Sequence, residues 1–339
     1  MRFLVFPAAV VIGLVLSLAS PAAASPAGYR LYKIGAPKAP TPGEVAPGLL
    51  LVGGGDWPAT AFRWFTDKAG NGRLVILRAS GAEEAGERFY RDIGGLTSVQ
   101  TLVFDDVKAA HDPRVLALLD QADGIFIAGG DQANYVRFWK NTPVQDALNR
   151  HVARGRPIGG TSAGLAILGS AAYGAMDGGS VDTQEALKDP MGPAMTLVTD
   201  FLDIPYLAHV VTDTHFAARD RLGRLIAFVA HVRATTDPLA MGLGVDEDGA
   251  LAVEGNGLGR FYHDDVGYVW LVQPEGQPRA VLGQPLSYDH VRITTLGTKG
   301  QIDLNTMTID TPASEGTASV RDGHLINVPV DPRSGPSTP

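Results

Sequence analysis

Three features of the sequence predict an α/β fold, a doubly wound and mostly parallel sheet with a β-rich C-terminal extension. Short apolar runs at 48–52, 73–77, 99–104 and 124–128 alternate with helical stretches instead of following one another. Strands apolar on both faces belong in a parallel sheet covered by helices. Glycine clusters, Gly53-Gly54-Gly55, Gly129-Gly130 and Gly159-Gly160, fall at the carboxyl ends of such strands. Ligands bind at those ends in open α/β sheets. Only beyond Gly242 do short strands follow one another with turn signals between them.

The elements follow in order. Residues 1–24 open with Arg2, continue as an apolar stretch and end in Ala22-Ala23-Ala24. That is the pattern of a secretory signal with its cleavage site. Pro7, Gly13 and Ser17 in a rather short stretch speak against a membrane anchor. Residues 25–47, rich in proline, read as an extended segment. A single α/β domain, the one expected to carry any chemistry, is expected over 48–330. Helices are expected at 83–93, 114–119, 133–139 and 144–152. A strand at 157–158 runs into Gly159-Gly160-Thr161-Ser162-Ala163-Gly164, and Leu165-Ala166-Ile167-Leu168 opens an apolar helix. Residues 171–203 are a polar, irregular excursion. A strand at 208–211 leads to Thr212-Asp213-Thr214-His215-Phe216. The helix expected over 217–231 gathers Leu222, Leu225, Ile226 and Val229 on one face. From about 245 the chain is β-rich, and 331–339 reads as a disordered tail.

Composition narrows the chemistry. The 339 residues are 45% apolar, enough to bury a substantial core. With no cysteine, disulfides, thiolate metal sites and a cysteine nucleophile are excluded. An exported chain without cysteine suits a bacterial periplasm or medium. The formal charge is −8. Removal of Arg2 with the signal leaves 27 basic against 36 acidic residues, a net −9. Such a chain is a poor partner for nucleic acid or an anionic membrane and attracts cationic substrates. A homodimer stays open.

Ser162 lies between small residues on a strand-to-helix turn, the setting of a nucleophile elbow. Gly160 and Gly164 permit the tight turn, and the following helix start directs N–H groups to the same spot. A serine needs a base. Among eight histidines, His215 has the best context, at a strand end beside an acid and an arginine-rich helix start. His111, His151, His231, His263, His290 and His324 read as surface residues, and His209 as a core one. Asp177, Asp182, Glu185 and Asp213 are all available as the third member. Strand alternation puts Asp213 on the face of His215, which suits a substrate ligand equally. Arg219, Arg221 and Arg224 suit carboxylate recognition, or surface pairing with Asp220.

Gly53-Gly54-Gly55, Gly129-Gly130-Asp131-Gln132, Gly160-Thr161-Ser162-Ala163-Gly164 and Asp213-Thr214-His215-Phe216 with the three arginines resemble the cyanophycinase-like serine peptidases, relatives of aspartyl dipeptidase. The resemblance spans roughly residues 48–248. It implies a flavodoxin-like fold akin to class I glutamine amidotransferases, with Ser162 as nucleophile, His215 as base and no cofactor or metal. It implies a glutamate as the acid, best matched by Glu185 and next by Asp182. Gly130 and Ala163 are the candidate oxyanion donors. Gln132, Asp213, Arg219, Arg221 and Arg224 are implied as substrate ligands. The implied substrate is cyanophycin, a poly-aspartate backbone with arginine on each β-carboxyl, cut to β-Asp-Arg dipeptides. Thr214 stands where the family often has glutamine, and Ser162 and His215 lie 53 residues apart, a longer interval than in intracellular members. An Asp-specific dipeptidase, an esterase-like hydrolase and a non-catalytic amidotransferase-like binding protein are the alternatives.

Overall fold

A strand with apolar side chains on both faces must be covered on both, and the register of alternate residues shows how this chain does it. The computed structural model describes residues 27–36, 42–329 and 331–334; the expected signal at 1–24 lies outside them. In chain order, Tyr29–Gly35 (β1) and Gly48–Val52 (β2) precede helix Ala59–Lys68 (α1). Arg73–Arg78 (β3) leads to the short helix Glu84–Glu87 (α2), which runs on into a π-turn to Ile93. Ser98–Phe104 (β4), helix Pro113–Gln121 (α3) and Gly124–Ile127 (β5) follow. Helices Gln132–Trp139 (α4) and Pro143–Ala153 (α5) precede Ile158–Thr161 (β6) and the single turn Ala163–Ala166 (α6).

Strands β4-β3-β5-β6-β2 pair in that order, all parallel, and β1 adds antiparallel to β4 at the edge. Leu50, Val52, Leu74, Ile76 and Phe126 face one side, where Phe62, Phe65 and Phe89 from α1 and the π-turn close over them. Leu49, Leu51, Val75, Leu77, Ile125 and Ile127 face the other, against α3–α5.

Most of the remaining chain builds a second sheet. Ala171–Tyr173 (β7), helix Thr183–Lys188 (α7) and Leu197–Thr199 (β8) occupy the excursion expected to be irregular. Val210–Asp213 (β9), helix Leu222–Thr235 (α8) and Met241–Val245 (β10) follow, with β9 and β10 parallel. Gly249–Glu254 (β11) crosses back to pair with β2 in the first sheet, and Leu258–His263 (β12) extends it. Val269–Pro274 (β13) and Tyr288–Leu296 (β14) return to the second sheet beside β10. The β-rich C-terminal part is thus divided between two sheets instead of forming one appendage. Val210, Leu243, Val245, Val269 and Leu271 of the second sheet share a continuous core with the first. Of the tail read as disordered, Pro332–Ser334 forms a short 3-10 turn. Among the described residues no helix is long and apolar enough to cross a membrane.

Two local readings change. The helix after Ser162 is one turn only; its Leu165 carbonyl accepts both the Leu168 amide and the Thr212 hydroxyl at 3.0 Å. The arginine-bearing helix begins at Leu222, after a turn in which Arg219 N–H meets the His215 carbonyl at 3.1 Å.

Two histidines also exchange places. His209, expected in the core, is half exposed and meets Asp237 at 2.8 Å. His151, expected at the surface, is 2% exposed. It lies on the inward stripe of α5 with Val144, Ala147 and Leu148, and its Nε2 donates to the Pro157 carbonyl at 3.0 Å. Burial pushes its pKa down to about 4. The folded chain therefore refuses a proton that the unfolded chain accepts below its ordinary value near 6.5. Stability from this residue is complete above that pH and is lost as pH falls from there towards 4, at about 1.4 kcal/mol per unit. Urea unfolding of wild type and His151→Gln should show the wild type losing on the order of 2 kcal/mol more between pH 7 and 4.5. Parallel pH dependences would remove His151 from this role.

Candidate active site

Ser162 follows β6, and its amide donates to the Val52 carbonyl at 3.1 Å, locking it beside the end of β2. Its backbone is at φ 53°, ψ −123°, a conformation costly for a residue with a Cβ, of order 1–3 kcal/mol. The turn closes because its neighbours lack side chains. A Cβ on Gly160 would lie 2.5 Å from the Gly164 carbonyl oxygen. A Cβ on Gly164 would run into the Ile127 carbonyl. Gly129, past the end of β5, faces Ser162 so closely that a Cβ there would stand 3.3 Å from the serine Cβ. Gly130 follows at φ +152°. Ala163 opens α6 directly after the serine.

The Ser162 hydroxyl meets His215 Nε2 at 2.7 Å, and His215 Nδ1 meets the Glu247 carboxylate. A carboxylate only accepts, so the Nδ1 proton points to Glu247, leaving Nε2 to receive the serine proton. His215 has φ 46°, and its amide donates to the Gly53 carbonyl at 2.8 Å. Gly54, at φ +111°, packs against the imidazole, and any side chain there would enter the ring. Burial lowers the His215 pKa below its ordinary value, opposed by the Glu247 hydrogen bond and reinforced by the charges of Arg219 and Arg221. The shift favours the neutral imidazole over the imidazolium.

Glu247 sits in the turn between β10 and β11, where the chain passes from the second sheet back to the first. Its flanking acids are anchors. Asp246, 3% exposed, accepts from Ala217 N–H, Tyr268 N–H and Trp270 Nε1, each at 3.0 Å. Asp248 accepts from the Asp56 amide and donates its own amide to the Gly54 carbonyl at 2.8 Å. The expected acid, Glu185, is corrected: it lies on the exposed side of α7. Asp182, the second choice, caps that helix by accepting from the Glu185 amide at 2.8 Å. Glu247 lies 32 residues beyond His215, outside the interval between serine and histidine in which the acid was expected. Its signal is present as an apolar strand end, Leu243-Gly244-Val245, followed by three acids and Gly249.

The implied ligand set also divides. Asp213, 1% exposed, takes Arg224 Nε at 2.8 Å and Nη2 at 2.6 Å, so both its oxygens are occupied. Arg224, 3% exposed, places Nη1 3.0 Å from Ser180 Oγ and from the Val181 carbonyl, and lies over the rings of Tyr173 and Phe228. Arg221 donates to the Thr214 carbonyl at 2.8 Å and hydroxyl at 3.1 Å. Burial pushes its pKa down to about 10. These three side chains face one another, and the assignment of Asp213, Arg221 and Arg224 as ligands is corrected to a buried ion cluster under the His215 turn. Arg219 differs: its side chain is half exposed, with Nε 3.9 Å from Glu247. Gln132 opens α4, and its amide donates to the Tyr173 carbonyl at 2.7 Å. Among the described residues no group of three or more metal-ligating side chains is disposed to hold an ion.

Comparison with known proteins agrees with this arrangement. The sequence profile of peptidase family S51 matches residues 49–260, more than half of the chain. A cyanophycinase from Trichormus variabilis is 28% identical over 275 residues, covering 76% of this chain and 85% of that protein. One from Synechococcus elongatus is 32% identical over 235 residues, covering 66% of each. The crystal structure of a peptidase from an acI-B1 Actinobacterium superposes with a TM-score of 0.50 at 20% identity, over 77% of this chain and 98% of that one. That last likeness is one of fold alone. With a profile match over most of the chain and Ser162, His215 and Glu247 in one hydrogen-bonded row, the chain belongs to peptidase family S51 and is a cyanophycinase-like serine peptidase.

Proposed function

We propose that the enzyme is an exported exopeptidase that cleaves cyanophycin-type polyamides through an acyl-enzyme on Ser162. The observation that carries this reading is the row of hydrogen bonds from Ser162 through His215 to Glu247. Ser162 Oγ attacks the amide carbonyl as Nε2 takes its proton. The imidazolium, held by Glu247, returns that proton to the leaving amine, and water then releases the acyl group by the same route. The amides of Gly130 and Ala163 are the proposed oxyanion donors, and each such donor is worth about 10²–10³ in rate. The strand order β4-β3-β5-β6 corresponds to 2-1-3-4 of a flavodoxin-type sheet, with β2 in the place of its fifth strand, which supports the expected fold relation. Export rests on the signal-like residues 1–24. Arg219, with a half-exposed side chain, is the proposed guanidinium for a substrate carboxylate, and Gln132 the proposed second ligand. The cyanophycinase relatives and the net acidity, suited to an arginine-bearing polymer, support the substrate class.

Ser162→Ala should lower kcat on purified cyanophycin by on the order of 10⁴ or more with the fold retained; mass spectrometry of the wild-type products should show β-Asp-Arg. Glu247→Gln should cost about 10²–10⁴ in kcat, whereas Glu185→Gln should stay within twofold. Because Glu247 holds the His215 pKa up against burial, Glu247→Gln should also move the acid limb of kcat/KM to lower pH. The reverse ranking of the two glutamates would return the acid to α7.

The arginines should separate by kind of damage. Arg219→Gln should raise KM for Asp-containing substrates, a loss of about 1.5–3 kcal/mol in kcat/KM, with thermal stability kept. Arg224→Gln should instead lower stability by about 3–5 kcal/mol, since it strands Asp213 in the core. An Arg224→Gln protein of normal stability but impaired KM would restore it as a ligand.

A further inference from the structure

We infer that His263 is a positioning residue for the reaction: it holds the peptide of Glu247 so that the carboxylate stays on His215. The inference rests on Glu247 as the acid of the proposed triad.

Glu247 is poorly fixed by packing, for its side chain is 36% exposed. A second partner also lies near, since Arg219 Nε stands 3.9 Å from the same carboxylate oxygen and is itself half exposed. A carboxylate so exposed exchanges rotamers and partners unless the main chain limits its reach. His263 supplies that limit. It ends β12 and pairs in register with Gly249, two residues past Glu247. Its Nε2 lies 3.1 Å from the Glu247 carbonyl oxygen. Its Nδ1 accepts the Asp265 amide at 2.9 Å. An Nδ1 that accepts carries no proton, so Nε2 must carry it and donate to Glu247. Each ring nitrogen thus has one role. Gly267 packs against the ring, and a Cβ there would run into Cδ2, so the imidazole is held against turning away. Asp246 and Asp248 pin the residues on either side of Glu247, and His263 pins the Glu247–Asp248 peptide itself. The ring touches neither the serine nor the catalytic imidazole in any hydrogen bond, and acts through Glu247.

The test is a double-mutant cycle on cyanophycin hydrolysis, with His263→Phe and His263→Gln made in wild type and in Glu247→Gln. In wild type, His263→Phe should lower kcat about 10–100-fold, the scale of a small misplacement at a reacting group. KM should stay within twofold, and His263→Gln, which keeps a donor, should recover part of the loss. In the Glu247→Gln background, His263→Phe should cost less than twofold, since the carboxylate it positions is gone. An equal loss in both backgrounds, a loss in KM alone, or no loss in wild type would overturn the inference. If Glu247→Gln alone runs at the wild-type rate, the triad reading fails instead, and the two failures are distinct. Should His263→Phe not fold, His263→Gln and Gly267→Ala, whose methyl displaces the ring, complete the same cycle with the same criteria.

Discussion

The site depends on one close approach, that of the Gly54 backbone to the His215 imidazole. Gly54 belongs to the loop after β2 in the first sheet, and His215 follows β9 in the second. Any side chain at 54 would occupy the ring's volume. Around that contact the three groups of the row come from three places: Ser162 from the first sheet, His215 from the second, Glu247 from the crossover between them. The distance from Ser162 to His215 therefore reports how the two sheets dock. The shared core of Leu51, Leu165, Val210 and Val245 is what holds that docking, so damage to it should appear in catalysis as well as in stability.

Electrostatics divides the arginines into a buried and an exposed role. Removing a charge from water is costly, and a buried pair is stable only when nearly every donor and acceptor is satisfied. Arg224 meets that condition through Asp213, Ser180, Val181 and two aromatic rings. The cluster ties the excursion at 180–183 to the strand that delivers His215. Arg219, five residues earlier and half exposed, has its Nε 3.9 Å from the Glu247 carboxylate. Its charge and that of Arg221 also hold the His215 pKa down, together with burial.

Much of this was legible in the sequence wherever backbone geometry restricts residue type. The glycines at 54, 160 and 164 mark close approaches that admit no side chain, so a glycine-rich strand end announced the site. Apolar runs between helices announced the parallel sheet, because period and composition are local properties. The carboxylate on His215 was not legible, since Glu247 meets His215 only through the crossover from β10 to β11. Nor was the fate of Arg224, because a guanidinium on a helix start reads alike whether Asp213 or a ligand receives it. His151 and His209 exchanged places for a related reason: α5 has an inward stripe that includes 151, while 209 stands just before its strand enters the core.

The most direct test of the central claim is peptide mapping by mass spectrometry after labelling with a serine-directed fluorophosphonate. The hydrogen-bonded row predicts a single adduct on the peptide bearing Ser162, formed at a rate that falls by orders of magnitude in His215→Ala. Absence of the adduct, or modification of another serine at an equal rate, would contradict Ser162 as the nucleophile that this fold assembles.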